Sequence, residues 1–214
     1  MFRKIGWGAR KRAYAIGTAL LFGATLVAHA ADVAIATDTP EATIATLQRG
    51  LIALSQQSPR ATVDERYKAL EPMIVATHDL PYIAEFALRR QWPQLAEPDR
   101  ARFIAAFQRL SVMTYAARFV NVGPSTFRPI SAGAATEAGR AQVTTGVARA
   151  GQPDVSFEYL LRQDGGTWRI INVVADGVSD LALKRAEYQR VLGSGTLDTL
   201  VKELETQTDR LRQR

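Results

Sequence analysis

The chain has no cysteine. Disulfides, thiolate catalysis and Cys-ligated zinc are excluded with it. So is a lipid-anchored lipoprotein, whose anchor needs a cysteine at the cleavage site. Histidine is almost as scarce: of two, only His78 lies beyond the first thirty residues. One histidine and scattered carboxylates give no metal-ligand spacing. Asp164-Gly165-Gly166 and Asp176-Gly177 lack the further spaced acids of a calcium loop. Gly193-Ser194-Gly195 is no phosphate loop, because no buried strand leads into it and no Lys-Ser/Thr follows. There is no internal repeat, and no low-complexity tract beyond the N-terminal segment. Long apolar runs are missing too, except Ala13 to Val27, which is short for a membrane span and interrupted by Gly17 and Gly23.

Acid is absent before Asp32, while Arg3, Lys4, Arg10, Lys11 and Arg12 crowd the start. Removing those five charges from a net +6 leaves about +1. A nearly neutral remainder is a poor nucleic-acid binder, since phosphate contacts need concentrated Lys and Arg. The basic start, the apolar run and Ala28-His29-Ala30 together read as a secretory signal. They predict a cleaved leader over residues 1–30, a mature start at Ala31, and one domain over 31–214. The alternative is a retained membrane anchor. Lys11-Arg12 is not a twin-arginine pair, so ordinary Sec export and a periplasmic location are expected.

The stretch Thr167 to Tyr188 organises the rest. Trp168, Ile170, Ile171, Val173 and Val174 make a near-continuous apolar run, which predicts a strand buried on both faces. It breaks at Asp176-Gly177, and Ser179 or Asp180 can cap a helix from Leu181. Upstream, a helix capped by Asp38 or Thr39, with Pro40 in its first turn, is predicted to end in the Gln56-Gln57-Ser58-Pro59 stretch, and a second runs from Thr62 to about Met73. Others run from Leu80 or Pro81 to about Arg89 and from Glu97 to Phe119. Thr62 with Glu65 is a capping-box pattern, and Pro72 is expected to end or kink its helix.

After Asn121 the period changes to two. Ser125 to Ser131, Ala141 to Ala150, Val155 to Gln163 and Thr167 to Ala175 read as four strands, with Gly165-Gly166 as a tight hairpin turn. A helix over Leu181 to Leu192 and another capped by Thr196 or Asp198 follow, the second expected to fray after Lys202. The layout is α+β: a four-stranded twisted antiparallel sheet with N-terminal and C-terminal helices packed around it.

No enzymatic constellation stands out. His78 beside Asp79 can be half of a general-base pair, or a loop residue next to a helix cap. Tyr82, Phe86, Phe103, Phe107, Tyr115, Phe119, Phe157, Tyr159 and Trp168 can line an apolar pocket or form an ordinary core. Arg89-Arg90, Lys184-Arg185, Arg210, Arg212 and Arg214 can meet a head group or partner, or form a solvated face.

The order of segments resembles the MlaC / toluene-tolerance family of periplasmic lipid carriers. Arg66 to Ile74 (RYKALEPMI) and His78 to Ala84 (HDLPYIA) are similar to that family's R-x-x-x-L-x-P-x-[IV] and [FH]-D-[LM]-x-x-[IM]-[AS] stretches. Phe103, Phe107, Tyr115 and Phe119 fit its helical F-x-x-x-F…Y-x-x-x-[FL] pattern. Trp168-Arg169-Ile170 through Asp176-Gly177-Val178-Ser179 matches its W-[KR]-[IV]…[ED]-G-[VI]-S element. The likeness spans the chain beyond the leader. It departs at Asp180 to Tyr188, where the family's Asn-Tyr-Arg ending is replaced; there the chain resembles the HpnM branch associated with hopanoid biosynthesis.

The resemblance implies an MlaC-like fold around an apolar cavity, with no cofactor and no covalent chemistry. It implies a monomeric carrier of phospholipid or hopanoid-type lipid. Its partners would be an inner-membrane lipid transporter complex and an outer-membrane lipoprotein complex. By matched position and apolar face, the expected lining is Tyr82, Ile83, Phe86, Phe103, Phe107, Leu110, Tyr115, Val147, Phe157, Trp168, Ile170 and Val178. Gly177 would let the chain turn beside the helices, where alanine would strain a positive φ. Two other readings stand beside this one: a small exported α+β enzyme using His78 and Asp79, and a ligand-free interaction protein with a solid core.

Overall fold

Thr39 opens the first helix, α1 (Pro40–Gln57), by accepting a hydrogen bond from Ala42 N at 3.1 Å. This computed structural model describes residues 34–132, 139–149 and 151–213; the expected leader and the Ala31 start lie outside the described residues. α2 (Val63–Thr77) begins with the predicted capping box, Thr62 and Glu65 bonding each other's backbone. Pro72 does not stop it near Met73. Proline removes the bond its own N–H would have made and its ring crowds the Lys68 carbonyl, but burial of Met73, Ile74 and Thr77 holds the next turn to Thr77. Gly50, in mid-α1, costs its helix about 1 kcal/mol against alanine. A side chain there would put Cβ 1.9 Å from Met73 Sδ, so the bare position lets the two helices approach.

α3 (Leu80–Leu88) is capped by Asp79, and α4 (Glu97–Arg118) follows a 3-10 turn at Trp92–Gln94. The sheet is then built as an antiparallel meander of β1 (Ser131–Ala132), β2 (Arg140–Arg149), β3 (Gln152–Asp164), β4 (Thr167–Ala175) and β5 (Val178–Ser179), in that spatial order. The strand predicted over Ser125 to Ser131 is a correction. Pro124–Thr126 forms a 3-10 turn, Phe127 makes a single bridge to Val147, and regular pairing starts only at Ser131. The Thr126 hydroxyl accepts from Gly123 N at 2.9 Å, a local bond that competes with the ladder. β5 was not foreseen. Gly165 and Gly166, at φ +57 and +81, make the predicted β3–β4 hairpin. Gly177, at φ +78, takes the left-handed conformation that turns β4 into β5.

β4 is where the molecule converges: α1, α2, α3 and α5 (Asp180–Ser194) all pack on it. Its burial on both faces holds at Ile170 and Ile171, while Trp168, Val173 and Val174 are half-buried. Its edge away from β3 is met by single hydrogen bonds from several segments. Trp168 N donates to Thr37 O at 2.7 Å, Thr43 Oγ1 to Trp168 O at 3.0 Å, and Asp79 N to Ile170 O at 2.9 Å; β5 pairs with Val174 and Ala175. Asn172 Oδ1 accepts from both Ser179 Oγ and Leu181 N at 3.2 Å, tying strand to helix.

α6 (Leu197–Arg212) does not fray after Lys202. Leu200, Leu204 and Thr208 bury one stripe of it, and Arg212 Nε reaches Asp64 at 2.9 Å. The charges that suggested fraying occupy its other faces. The core runs through Phe103, Phe107, Leu88, Ile74 and Tyr188, the last edge-on to Phe103 at 5.8 Å.

Candidate functional site

The short side chains of Val173, Ala175 and Val178 leave room at the sheet's end. There a cavity of about 630 Å³ opens between sheet and helices. Phe157, Ile170 and Ile171 continue its floor. Leu80 and Ile83 from α3, Phe107, Leu110 and Tyr115 from α4, Phe119 just after it, Leu181 and Tyr188 from α5, and Leu211 from α6 wall it. Two apolar residues on its rim, Val178 and Leu183, are 53% and 59% exposed. Arg118, Asp180, Lys184, Glu187, Gln207 and Arg210 add a polar margin. Both acids there are engaged: Lys184 Nζ meets Asp180 at 2.6 Å, and Gln207 donates to Glu187 at 2.7 Å. His78, Ser111, Thr114 and Asn172 also line it, so the site is mainly apolar within and charged at its margin, which suits an amphipathic ligand. Its volume falls in the range of small-molecule sites, about 300–1,000 Å³.

Of the twelve expected lining residues, the cavity brings together Ile83, Phe107, Leu110, Tyr115, Phe157, Ile170 and Val178. The other five lie elsewhere. Phe103 is fully buried between Phe107 and Tyr188. Trp168 packs against the core at the opposite end of β4, beside Thr37 and Thr43. Val147 pairs with Val155 and bridges Phe127. Tyr82 and Phe86 stack on each other at 6.0 Å on the half-buried side of α3, with Arg140 and Arg162 over the first ring and Arg89 and Arg185 over the second. Sequence reasoning missed Val173, Ala175, Tyr188 and Leu211. Val173 and Ala175 continue the two-residue alternation from Ile171, a signal that was available; Leu211 was hidden by the charged α6 end.

His78 closes the inner wall. It caps the end of α2, and its β-bridge to Ile170 fixes it against β4. Nδ1 lies 3.2 Å from Ile74 O and 3.0 Å from Thr77 Oγ1, and Nε2 lies 2.9 Å from Tyr115 OH. The network is satisfied by a neutral ring that donates from Nδ1 to Ile74 O and accepts at Nε2 from Tyr115. Burial pushes the His78 pKa down to about 4, against opposing help from Ile74 O and the Asp180 charge. Burial likewise holds the Tyr115 phenol well above its ordinary range. Asp79 faces elsewhere: Oδ1 accepts from Tyr82 N at 3.1 Å, and the other oxygen binds Arg162. Imidazole and carboxylate thus have separate partners and form no acid–base pair.

His78 also makes stability depend on pH. Its folded pKa lies below its ordinary 6.5, so between pH 6.5 and 4 the unfolded chain binds more protons and stability falls as pH falls. From pH 7 to pH 5 the loss from this group is about 2 kcal/mol. Unfolding measured against pH should show that slope, and His78→Gln should flatten it. An equal slope in the variant would refute the assignment.

Among the described residues no cluster of His, Asp and Glu could hold a metal, and no helix is long and apolar enough to cross a membrane. The family model described as MlaC protein matches residues 45–206. A search of curated proteins finds no match. A solved structure described as the phospholipid-binding protein from Ralstonia solanacearum, in complex with a phospholipid, superposes with a TM-score of 0.67 at 17% identity, covering 80% of this chain and 97% of that one. That likeness is one of fold: helices around an antiparallel sheet, as found here.

Proposed function

The chain belongs to the MlaC family, and from that premise we propose that it is a periplasmic lipid carrier. In this reading residues 1–30 direct export and are removed. The acyl part of a phospholipid or hopanoid-type lipid lies in the cavity between β4, α4 and α5, and the head group stays at the polar margin. The single observation that carries it is the cavity itself, mainly apolar within and opening at two exposed apolar residues. The phospholipid bound to the Ralstonia solanacearum protein of like fold supports it. The physics agrees. Each methylene removed from water gains about 0.8 kcal/mol, so an acyl chain crosses an aqueous compartment only inside such a cover. Ile83, Phe107, Leu110, Tyr115, Phe157, Ile170 and Val178 are the lining residues proposed to touch it. Donor and acceptor would be an inner-membrane transporter complex and an outer-membrane lipoprotein complex, with the carrier acting as a monomer. The altered stretch Asp180 to Tyr188 lines one cavity wall through Leu181, Lys184 and Tyr188, and there a hopanoid-bearing branch would differ in cargo.

Mass spectrometry of an organic extract of the purified protein tests the reading. One equivalent of a phospholipid or hopanoid is expected, and its mass names the cargo. A lipid-free extract, followed by no uptake from phospholipid vesicles, would overturn it.

A further inference from the structure

A second cavity, of about 410 Å³, is lined by other residues at the ends of the same two helices, α4 and α6. Arg118, Phe119, Arg210 and Leu211 line the first, while Ala117, Val120, Arg212 and Gln213 line the second. The start of α2, from Ala61 to Val63, and Arg66 complete it.

Arg66 is 4% exposed. Its Nε donates to Ala61 O at 3.1 Å, but its buried Nη1 has no partner. Among the described residues no carboxylate pairs with it. Burying a guanidinium without a counter-charge is unfavourable, so an anion is what this wall lacks. The positive end of the 15-residue α2 faces the same space, opposite the negative C-terminal ends of α4 and α6, so the site's net attraction for an anion rests on Arg66. A second guanidinium, Arg212, stands at the rim, held by Asp64 at 2.9 Å and Asp209 at 3.2 Å. The nearby Glu65 is committed to the Thr62 cap. The remaining walls, Ala61, Val63, Ala117 and Val120, are small and apolar, leaving room for carbon attached to the anion.

We propose that this cavity is an anion site that takes a phosphate group on Arg66, with Arg212, held by Asp64 and Asp209, at its rim. Guanidinium forks match phosphate oxygens in pairs. The phosphate can be free or part of a lipid head group. The shared helix ends set the site beside the cationic rim of the larger cavity, and the head-group source rests on the carrier reading above.

The test is calorimetry on the full protein in phosphate-free buffer, with inorganic phosphate and dihexanoyl phosphatidic acid as probes. Wild type should bind one phosphate. Arg66→Gln should weaken binding at least tenfold. Arg66 is buried and that variant can unfold, so Val120→Glu is the second arm: Val120 is 41% exposed and tolerates a carboxylate that competes for the same guanidinium. Loss of both probes in Val120→Glu supports the site with free phosphate as a sufficient ligand. Binding and loss of phosphatidic acid alone supports a head-group source. No binding by wild type, or equal binding by wild type and both variants, overturns the proposal. Extracted lipid on the same preparations separates the two readings. Lipid in the extract with neither probe bound overturns the anion site alone, and probe binding with a lipid-free extract and no uptake from phospholipid vesicles overturns the carrier alone.

Discussion

Ala175→Trp is expected to empty the protein of lipid without unfolding it. Ala175 lies near the end of β4, opposite Phe157 on one side and Val178 on the other, and all three line the larger cavity. An indole there projects into open space rather than into packed core. If it takes the place of about four methylenes, the loss is about 3 kcal/mol at about 0.8 kcal/mol each, or binding a few hundredfold weaker. The measurement is lipid per protein in organic extracts, paired with the thermal midpoint. Lipid content equal to wild type would mean that the cavity is not where the cargo sits. A midpoint lowered by more than about 5 °C would instead say that this region is packed core and the space is not available.

Asp79→Ala should have the largest effect on stability. Asp79 is buried, caps α3 through Tyr82 N at 3.1 Å, and binds Arg162, which also lies over the Tyr82 ring at 4.5 Å. Breaking a buried pair costs about 3–5 kcal/mol and losing a cap about 1. Arg162 is 29% exposed, so solvent recovers part of its loss and about 3 kcal/mol in total is expected. For a chain of this size that is a fall of about 6–12 °C in Tm. Asp79→Asn keeps the cap and should lose less. Removing the stranded cation as well, with Arg162→Met, should restore part of the loss. A single Asp79→Ala variant melting within about 2 °C of wild type would refute the account.

What could be read beforehand follows from what is local. Thr62 and Asp79 were legible as caps, and Thr39 and Ser179 as one of two candidates each beside Asp38 and Asp180, because a cap needs only its own next few residues. The Gly165-Gly166 hairpin was legible for the same reason. Pro72 misled because its penalty is local while the burial of Ile74 and Thr77 that overrides it is not. Ser125 to Ser131 misled because alternation says nothing about whether a partner strand arrives. β2 receives that segment only at Phe127 and from Ser131 on. The charged end of α6 hid Leu211 and the Arg212–Asp64 tie, both long-range facts. The site split in the same way. Ile83 sits on the apolar face of α3, and Phe107 and Leu110 on one helical stripe of α4 with Tyr115 on the stripe beside it, all at spacings the sequence shows. Tyr82 and Phe86 share the α3 helix yet stack under arginines. A cavity is a volume that side chains fail to fill, and periodicity counts only the side chains.

The single bonds along the outer edge of β4 have one more consequence. An uncovered strand edge is a template on which another chain can add a strand. Here Thr37, Thr43, Asp79 and β5 each occupy part of the edge, and they come from separate parts of the chain. A foreign strand would have to displace all of them at once, so the protein is guarded against edge-to-edge polymerisation by contacts that also hold its helices in place.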